Sequence, residues 1–487
     1  MSAASSQAAS RSSNRRWWAL GLIAAAQFMV IMDTSIIGVA LPEMRTDLGF
    51  ATQDLSWVFN AYVIAFGGLL LLGGRLSDLL GARKVFTAGW VVLLAGSVVA
   101  GAAANVPTEL VGRAVQGAGA ALIAPSALTL LMVLFGANPK ELTKALALYG
   151  AAAPAGGTAG VFLGGVITEY ASWPWVFYLN IPIAIAVVLA VPAVMPAVPG
   201  TRGSHDVLGA LTVTGGLAAG VYAIVRAPEV GWGSAQTVLV GLGALAMLGV
   251  FLLVQARHRH PLVRLGIFRT PNLAAANLAQ LLLGAAWVPM WFFLNLYLQQ
   301  VLGLSAFPSG SALLPMTVLI MLGMVLVAPR VIARFGPKST LVAGMAILTV
   351  GLGALSVVRP DGAFWSDVLP ASLIAAAGMS LAFIPSLGVA LSSARPEEGG
   401  LAAGIVNTSY QVGSALGLAA MTAVAAASGA GELGDVASLT DGYSAAFVGA
   451  AVIAAVGTIL AAVTLRLPRP ARVEEPAEPS YDVEPAA

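Results

Sequence analysis

Apolar residues gather into about fourteen long runs along this chain, and short polar segments between them hold most of its charges. Each run approaches or exceeds the roughly 20 residues that a helix needs to cross a hydrocarbon layer. The runs fall at 17–41, 54–73, 85–105, 108–135, 143–166, 175–196, 207–226, 236–255, 273–302, 309–329, 339–358, 367–393, 402–428 and 443–465. They predict membrane-spanning helices, rich in the Gly and Ala that let helices approach closely in lipid. The first run follows Arg11, Arg15 and Arg16 and ends at Leu41-Pro42-Glu43 without a cleavage site. Its apolar core is also too long for a cleaved signal peptide, so it reads as a span.

Composition supports an integral membrane protein. Hydrophobic residues make up 58% of the chain and charged residues 9%, against about 25% charged in soluble domains. Cys is absent, which excludes a disulfide framework and thiolate metal sites. The net charge of +2 matters less than its distribution. Arg75, Arg83, Lys84, Lys140, Lys144, Arg202, Arg257, Arg330, Lys338, Arg395 and Arg466 fall on one side of the predicted spans, together with the N-terminal arginines. The other side keeps Arg45, Arg226 and Arg359. Basic loops stay in the cytoplasm, so both termini are expected there, in a multi-pass protein of the cell membrane.

An internal repeat organises the spans. Gly74–Arg83 lies between the second and third runs, and Pro329–Lys338 between the tenth and eleventh. Arg75 matches Arg330, Gly81 matches Gly336, and Arg83 matches Lys338. Duplicated halves of this kind build many transporters. The expected organisation is a cytoplasmic tail (1–16), a six-helix bundle (17–200), a two-helix insert (201–256), a second six-helix bundle (257–467) and a disordered cytoplasmic tail (468–487).

Two charges sit inside spans. Asp33 lies about eight residues before the outer end of the first run, and Arg113 about six residues after the outer start of the fourth. At 1.5 Å per residue they reach similar depths, roughly 12 and 9 Å. Intramembrane ionisable residues usually pair and mark an ion or substrate path. Glu109 and Glu169 read as solvated residues near the outer surface, which leaves Asp33 as the one deep acid.

The chain resembles a major facilitator superfamily transporter of the fourteen-helix drug:proton antiporter family, the EmrB/QacA type, over nearly its whole length. Gly74–Arg83 resembles the superfamily's loop signature, with Leu79 and Ala82 in place of two basic residues. Met32–Pro42 resembles the first-helix motif, with Gly38 where Asn is usual. Arg113-x-x-Gln116-Gly117-x-Gly119 matches the fourth-helix motif, and Gly160–Gly165 resembles the fifth-helix antiporter motif, with Val161 in place of Pro. Ser172–Phe177 resembles the family's Ser-Trp-Arg-Trp segment, with Pro174 in place of Arg. The resemblance implies the all-α major facilitator fold, two six-helix bundles plus two inserted helices. It also implies proton-coupled efflux of lipophilic, often cationic compounds by alternating access.

On that reading Asp33 and Arg113 couple protons. Asp78 caps the start of the thirteenth span near Gly400–Ala403 as an inner gate, with Arg83, Gly74 and Gly81 beside it. Pro154, Gly156, Gly160, Gly164 and Gly165 form the flexible antiporter helix, whose small-residue stripe is expected to slide or bend between the halves. Cavity candidates are Trp57, Asn60, Tyr62, Gln116, Gln280, Trp291, Asn295 and Tyr410, because aromatic faces with sparse polar groups suit amphipathic ligands.

Other classes fit less well. A membrane enzyme needs clustered acids and usually a metal, whereas His205, His258 and His260 fall in basic loops without nearby acids. No phosphate-cradling Gly-x-x-x-x-Gly-Lys-Ser/Thr loop occurs, which argues against direct use of ATP. An exporter of a lipid or an amino-acid-like metabolite is the alternative within the transporter class. The expected partners are the lipid bilayer, a small-molecule substrate and protons, with no cofactor and no nucleic acid, in a protein working as a monomer.

Overall fold

The computed structural model describes residues 2–50, 56–200, 206–257, 261, 263, 265–270, 272–304, 306–395, 398–430 and 435–466. His205, His258, His260 and the tail 468–487 lie outside the described residues, as does the side chain of Glu169. The described residues form helices joined by short turns and loops, with no strand. The first half holds α1 (Ser2–Leu48), α2 (Ser56–Leu80), α3 (Ala82–Gly101), α4 (Val106–Phe135), α5 (Pro139–Tyr170), the short α6 (Trp175–Tyr178) and α7 (Asn180–Val194). Then come α8 (Val207–Val230) and α9 (Ala235–Arg257). The second half holds α10 (Leu273–Leu296), α11 (Ala306–Ala312), α12 (Leu314–Leu322), α13 (Ala328–Leu355), α14 (Leu369–Ser392), α15 (Gly399–Ala425) and α16 (Val436–Thr464). Among the described residues, twelve helices are long and apolar enough to cross a membrane.

Several boundaries differ from the apolar runs. Residues 2–16, expected as a tail, continue α1 as helix. The run at 175–196 divides into α6 and α7 around Leu179. Hydropathy marks where a span lies in lipid, not where helical hydrogen bonding ends. Helix starts follow local chemistry instead. The Asn105 side chain accepts from Thr108 N–H at 3.0 Å, and the Asn138 side chain accepts from Lys140 N–H at 3.1 Å. Each cap satisfies an amide left over at a helix start, and a proline stands in each first turn, where no donor is needed.

The internal repeat appears in the backbone. Gly81 (φ 93°) and Gly336 (φ 80°) take the same left-handed break between helical segments. Only glycine adopts such angles without strain. The segment Pro308–Leu355 is divided at Gly336 in this way. The close-packing glycines repeat as well. Gly89 and Gly96 on α3, like Gly344 and Gly351 on α13, lie eight and fifteen residues past their break. A Cβ on Gly96 would sit 2.6 Å from Gln116 N of α4. The same atom on Gly344 would sit 2.5 Å from Ala382 N of α14. Between α8 and α9, the Gln255 amide donates to Asp206 at 2.7 Å and accepts from Val263 N–H at 2.9 Å, tying both ends of this pair to the segment that follows. Gly68 of α2 lets α8 approach closely at Ala218.

These approaches yield a paired test. A Cβ on Gly119 would lie 2.5 Å from Leu93 N, whereas Gly353 has open space around it. Gly119→Ala should destabilise by about 1–3 kcal/mol through overpacking. Gly353→Ala should be neutral or stabilising by up to about 1 kcal/mol, because alanine favours helix. Thermal unfolding in detergent, followed by tryptophan fluorescence, reads both; equal shifts would show that the α3–α4 approach is not tight.

Candidate functional site

The two intramembrane charges meet. Arg113 Nη1 donates to Asp33 Oδ2 at 2.7 Å, and both side chains are shut off from solvent. Their helices, α4 and α1, carry them to one depth from opposite chain directions. The carboxylate is surrounded by donors. Asp33 Oδ1 accepts from Asn180 Nδ2 at 2.8 Å and from Gln116 Nε2 at 3.1 Å. Ser97 Oγ then accepts from both amides, at 2.8 Å from Gln116 and 3.2 Å from Asn180. The guanidinium is held by backbone and rings: Arg113 Nε donates to Val58 O at 2.9 Å, and the Tyr62 ring lies 4.7 Å from its centre. Taking two ions out of water costs several kcal/mol each, which only close pairing with additional hydrogen bonds offsets. Helices α1, α2, α3, α4 and α7 all supply a part of that shell.

Ser97 and Asn180 were not anticipated. Both are uncharged polar residues inside apolar stretches, a common sight in membrane helices. Their polarity at span depth is the only sequence signal they carry. Gln116 and Tyr62, expected in a substrate cavity, belong to this buried cluster.

Glu109 corrects the sequence reading most clearly. Expected as a solvated acid near the outer surface, it is fully buried. A carboxylate in the first turn of a helix usually reads as interfacial. Here Val106 and Leu110, on either side of it in α4, pack against a buried cluster drawn from α1, α2, α3 and α6. Asp33 is therefore not the one buried acid.

At the other end of the bundle, Asp78 accepts from Gly400 N–H at 2.7 Å and Leu401 N–H at 2.9 Å, joining α2 to the start of α15. Gly74 permits this, since a Cβ there would run into Gly400 O. Gly81 is pressed similarly against Val198 O. Arg83 does not join Asp78. It donates from Nη1 to Met195 O at 3.3 Å, one helix end away, because the break at Gly81 turns α3 toward α7.

The antiporter-motif glycines also face elsewhere than expected. Gly156 abuts Phe28 O, and a Cβ on Gly160 would lie 2.8 Å from Met32 O. The stripe therefore seats α5 on α1, within one half. Contact with the other half comes from the opposite face of α5. Thr158 and Thr317 share a hydrogen bond of 2.7 Å, and Val161 fills the space beside Gly310. Pro154 lies inside α5, and Gly164 is buried farther along it.

An apolar cavity of about 410 Å³ opens between α5 and α11–α12, lined by Phe28, Thr158, Val161, Phe162, Leu314 and Thr317 among others. None of the eight cavity candidates lines it. Trp57 packs 5.7 Å from Tyr222 and 5.4 Å from Arg226. Asn60 and Gln280 are buried. Trp291 leans on Trp287 at 6.5 Å, Asn295 accepts from Ser309 at 2.8 Å, and Tyr410 meets Phe383 edge-on at 6.0 Å.

A repeated helical bundle with a buried charge pair and a carboxylate contact between its halves has the architecture of a polytopic membrane transporter. The chain belongs to the major facilitator superfamily, whose family model matches residues 23–418. It is 39% identical over 438 residues to the cephamycin export protein CmcT of Amycolatopsis lactamdurans, covering 89% of each chain. It is 37% identical to the puromycin resistance protein pur8 of Streptomyces alboniger, covering 86% of this chain and 84% of that one. Its fold is similar to that of the proton:xylose symporter XylE (TM-score 0.66, 14% identity, 92% of this chain and 95% of that one). The protein is a transporter, not an enzyme.

The buried pair predicts an asymmetry. Removing one partner of a buried ion pair costs about 3–5 kcal/mol, because the other charge is left without compensation. Arg113→Leu should lower thermal stability by that order, and Asp33→Asn/Arg113→Leu should recover part of it. A double-mutant cycle on unfolding midpoints checks this; additive losses would mean that the two charges do not stabilise each other.

Proposed function

We propose that this chain is a fourteen-helix drug:proton antiporter of the EmrB/QacA type, which exports lipophilic, often cationic drugs or secondary metabolites by alternating access. One observation carries the reading: a carboxylate and a guanidinium buried together in a hydrocarbon span, in a chain similar along most of its length to antibiotic export and resistance proteins. Such a pair is expensive to bury and has no role in plain packing that apolar residues could not fill more cheaply.

Two features support fourteen spans. Pro308–Leu355 is 48 residues long, roughly 72 Å as one helix and more than twice the hydrocarbon thickness, and it is divided at Gly336. The apolar helix Leu208–Ile224 supplies another. On this count α8 and α9 are the insert between bundles 17–200 and 257–467. The distribution of Lys and Arg supports both termini lying in the cytoplasm of a cell-membrane protein. With two halves in one chain, the transporter works as a monomer. Asp78 and α15 then meet at the cytoplasmic mouth, closed in this conformation.

In this mechanism Asp33 exchanges a proton for substrate. Protonation removes the carboxylate's claim on Arg113, Gln116 and Asn180, which loosens the cluster that ties α1, α4 and α7 together. The α5–α12 cavity offers an apolar wall suited to a lipophilic body. Phe162, Leu314 and Val318 are about half exposed there, so entry from the lipid side is open.

Transport by purified protein in liposomes, with an imposed pH gradient and a panel of cationic, neutral and acidic compounds, tests the function. The wild type should move lipophilic cations and antibiotics only when the gradient is present. Asp33→Asn should bind substrate but lose gradient-driven transport; normal coupled efflux by that variant would reject Asp33 as the proton site.

The gate has its own test. Two charge-assisted bonds from Asp78 to the start of α15 bias the closed cytoplasmic mouth by roughly 1–3 kcal/mol. Asp78→Asn should shift the population toward inward-facing and slow transport while substrate binding persists. Spin labels at Leu80 and Arg395, both at exposed positions near that mouth, read the distance distribution. Unchanged distances together with lost transport would rule out the gate.

A further inference from the structure

Glu109 is a fully buried carboxyl whose two oxygens have no hydrogen-bond partner. Its helix does not need it as a cap, because the Asn105 side chain already holds Thr108 N–H. Its neighbours on α4, Val106 and Leu110, pack into an apolar cluster that includes Phe50, Val58, Trp173 and Phe177. An ionised carboxylate without partners in such a place is untenable; a buried acid in that position takes up a proton instead.

One helical turn away stands Arg113. Residues four apart share a helix face, with Cβ atoms about 5–6 Å apart. Arg113 is itself incompletely used: Nη1 and Nε are bonded, but Nη2 is buried without an acceptor. An unused donor and an unused carboxyl thus lie on one face of α4, with Asp33 of α1 on the other side of the guanidinium. Among the described residues, the charged or titratable groups around this point are Asp33 from α1, Tyr62 from α2 and Arg113 on α4 itself.

We propose that Glu109 is a second proton-carrying carboxyl, and that Arg113 exchanges Asp33 for Glu109 when Asp33 becomes protonated. In the conformation described here Asp33 is paired with Arg113, and Glu109 holds a proton. When a proton neutralises Asp33, Arg113 is left as a buried cation. Glu109 then gives up its proton and takes the guanidinium through Nη2, so the net charge of the cluster is unchanged. One proton enters at Asp33 and one leaves at Glu109, the carboxyl nearer the end of the bundle opposite Asp78. The exchange gives the pair a second resting arrangement without stranding a charge, and gives the proton a relay toward one face. This inference rests on Asp33 being the proton site, and its test does not use transport.

Infrared spectroscopy of the full chain in liposomes at neutral pH reads a carboxylic-acid carbonyl band directly. The wild-type minus Glu109→Gln difference should contain one such band, from a protonated Glu109. Glutamine mimics the neutral acid in shape, so the variant should keep wild-type thermal stability. The decisive arm is Asp33→Asn, which mimics permanent protonation of Asp33. There the Asp33→Asn minus Asp33→Asn/Glu109→Gln difference should lack the acid band and show a carboxylate band, because Glu109 has become the partner of Arg113. Absence of an acid band in the wild-type difference would overturn the second site. Persistence of the acid band in the Asp33→Asn background would overturn the exchange, even if that variant has lost transport. Retained transport by Asp33→Asn would instead count against Asp33 as the proton site, a result the spectra do not depend on.

Discussion

A carboxylate and a guanidinium can be buried together in hydrocarbon only if each has the other and further hydrogen bonds hold both in place. That requirement organises the first half of this protein. To hold Asp33 and Arg113 at 2.7 Å, α1 and α4 must reach the same depth. The hinge of α6 into α7 must deliver Asn180, α3 must deliver Ser97, and α2 must offer Val58 O and the Tyr62 ring. Five helices converge because one ion pair needs them.

The rest of the packing makes that convergence possible. Glycines on α3 and α4 bring the two backbones close enough for the Gln116 amide to reach both Asp33 and Ser97. Glycines on α5 seat it against α1, so that its other face, with Thr158 and Val161, is the one that meets α11 and α12. The α3–α4 arrangement recurs at α13–α14 without a buried charge pair of the same kind among the described residues. Duplication has kept the scaffold, while charge chemistry is concentrated in the first half. The buried charge pair and the Asp78 contact therefore lie at different depths of one bundle, connected by α2, which carries Val58 at one end and Asp78 at the other.

Much of this was legible in the sequence. Lipid leaves a span little choice: its backbone must satisfy itself, so long apolar runs are helices. Solitary charges in such runs stand out, and equal depth counted from opposite ends of α1 and α4 is arithmetic on residue numbers. The repeat was legible because a left-handed glycine break cannot be replaced without strain. Gly81 and Gly336 hold the same place in both copies.

What only the tertiary structure decided is which face of each helix meets which neighbour. Glu109 looked interfacial from its position in the first turn of α4; the buried cluster that its neighbours pack against comes from residues remote in sequence. Arg83 was near Asp78 in the chain, but the break at Gly81 sends it to Met195. The glycine stripe of α5 gave a spacing and not a partner. In lipid, hydropathy is nearly uniform around a helix, so it carries the length and depth of a span but not its rotation. Rotation is settled by small residues and polar contacts across helices, which no single segment contains.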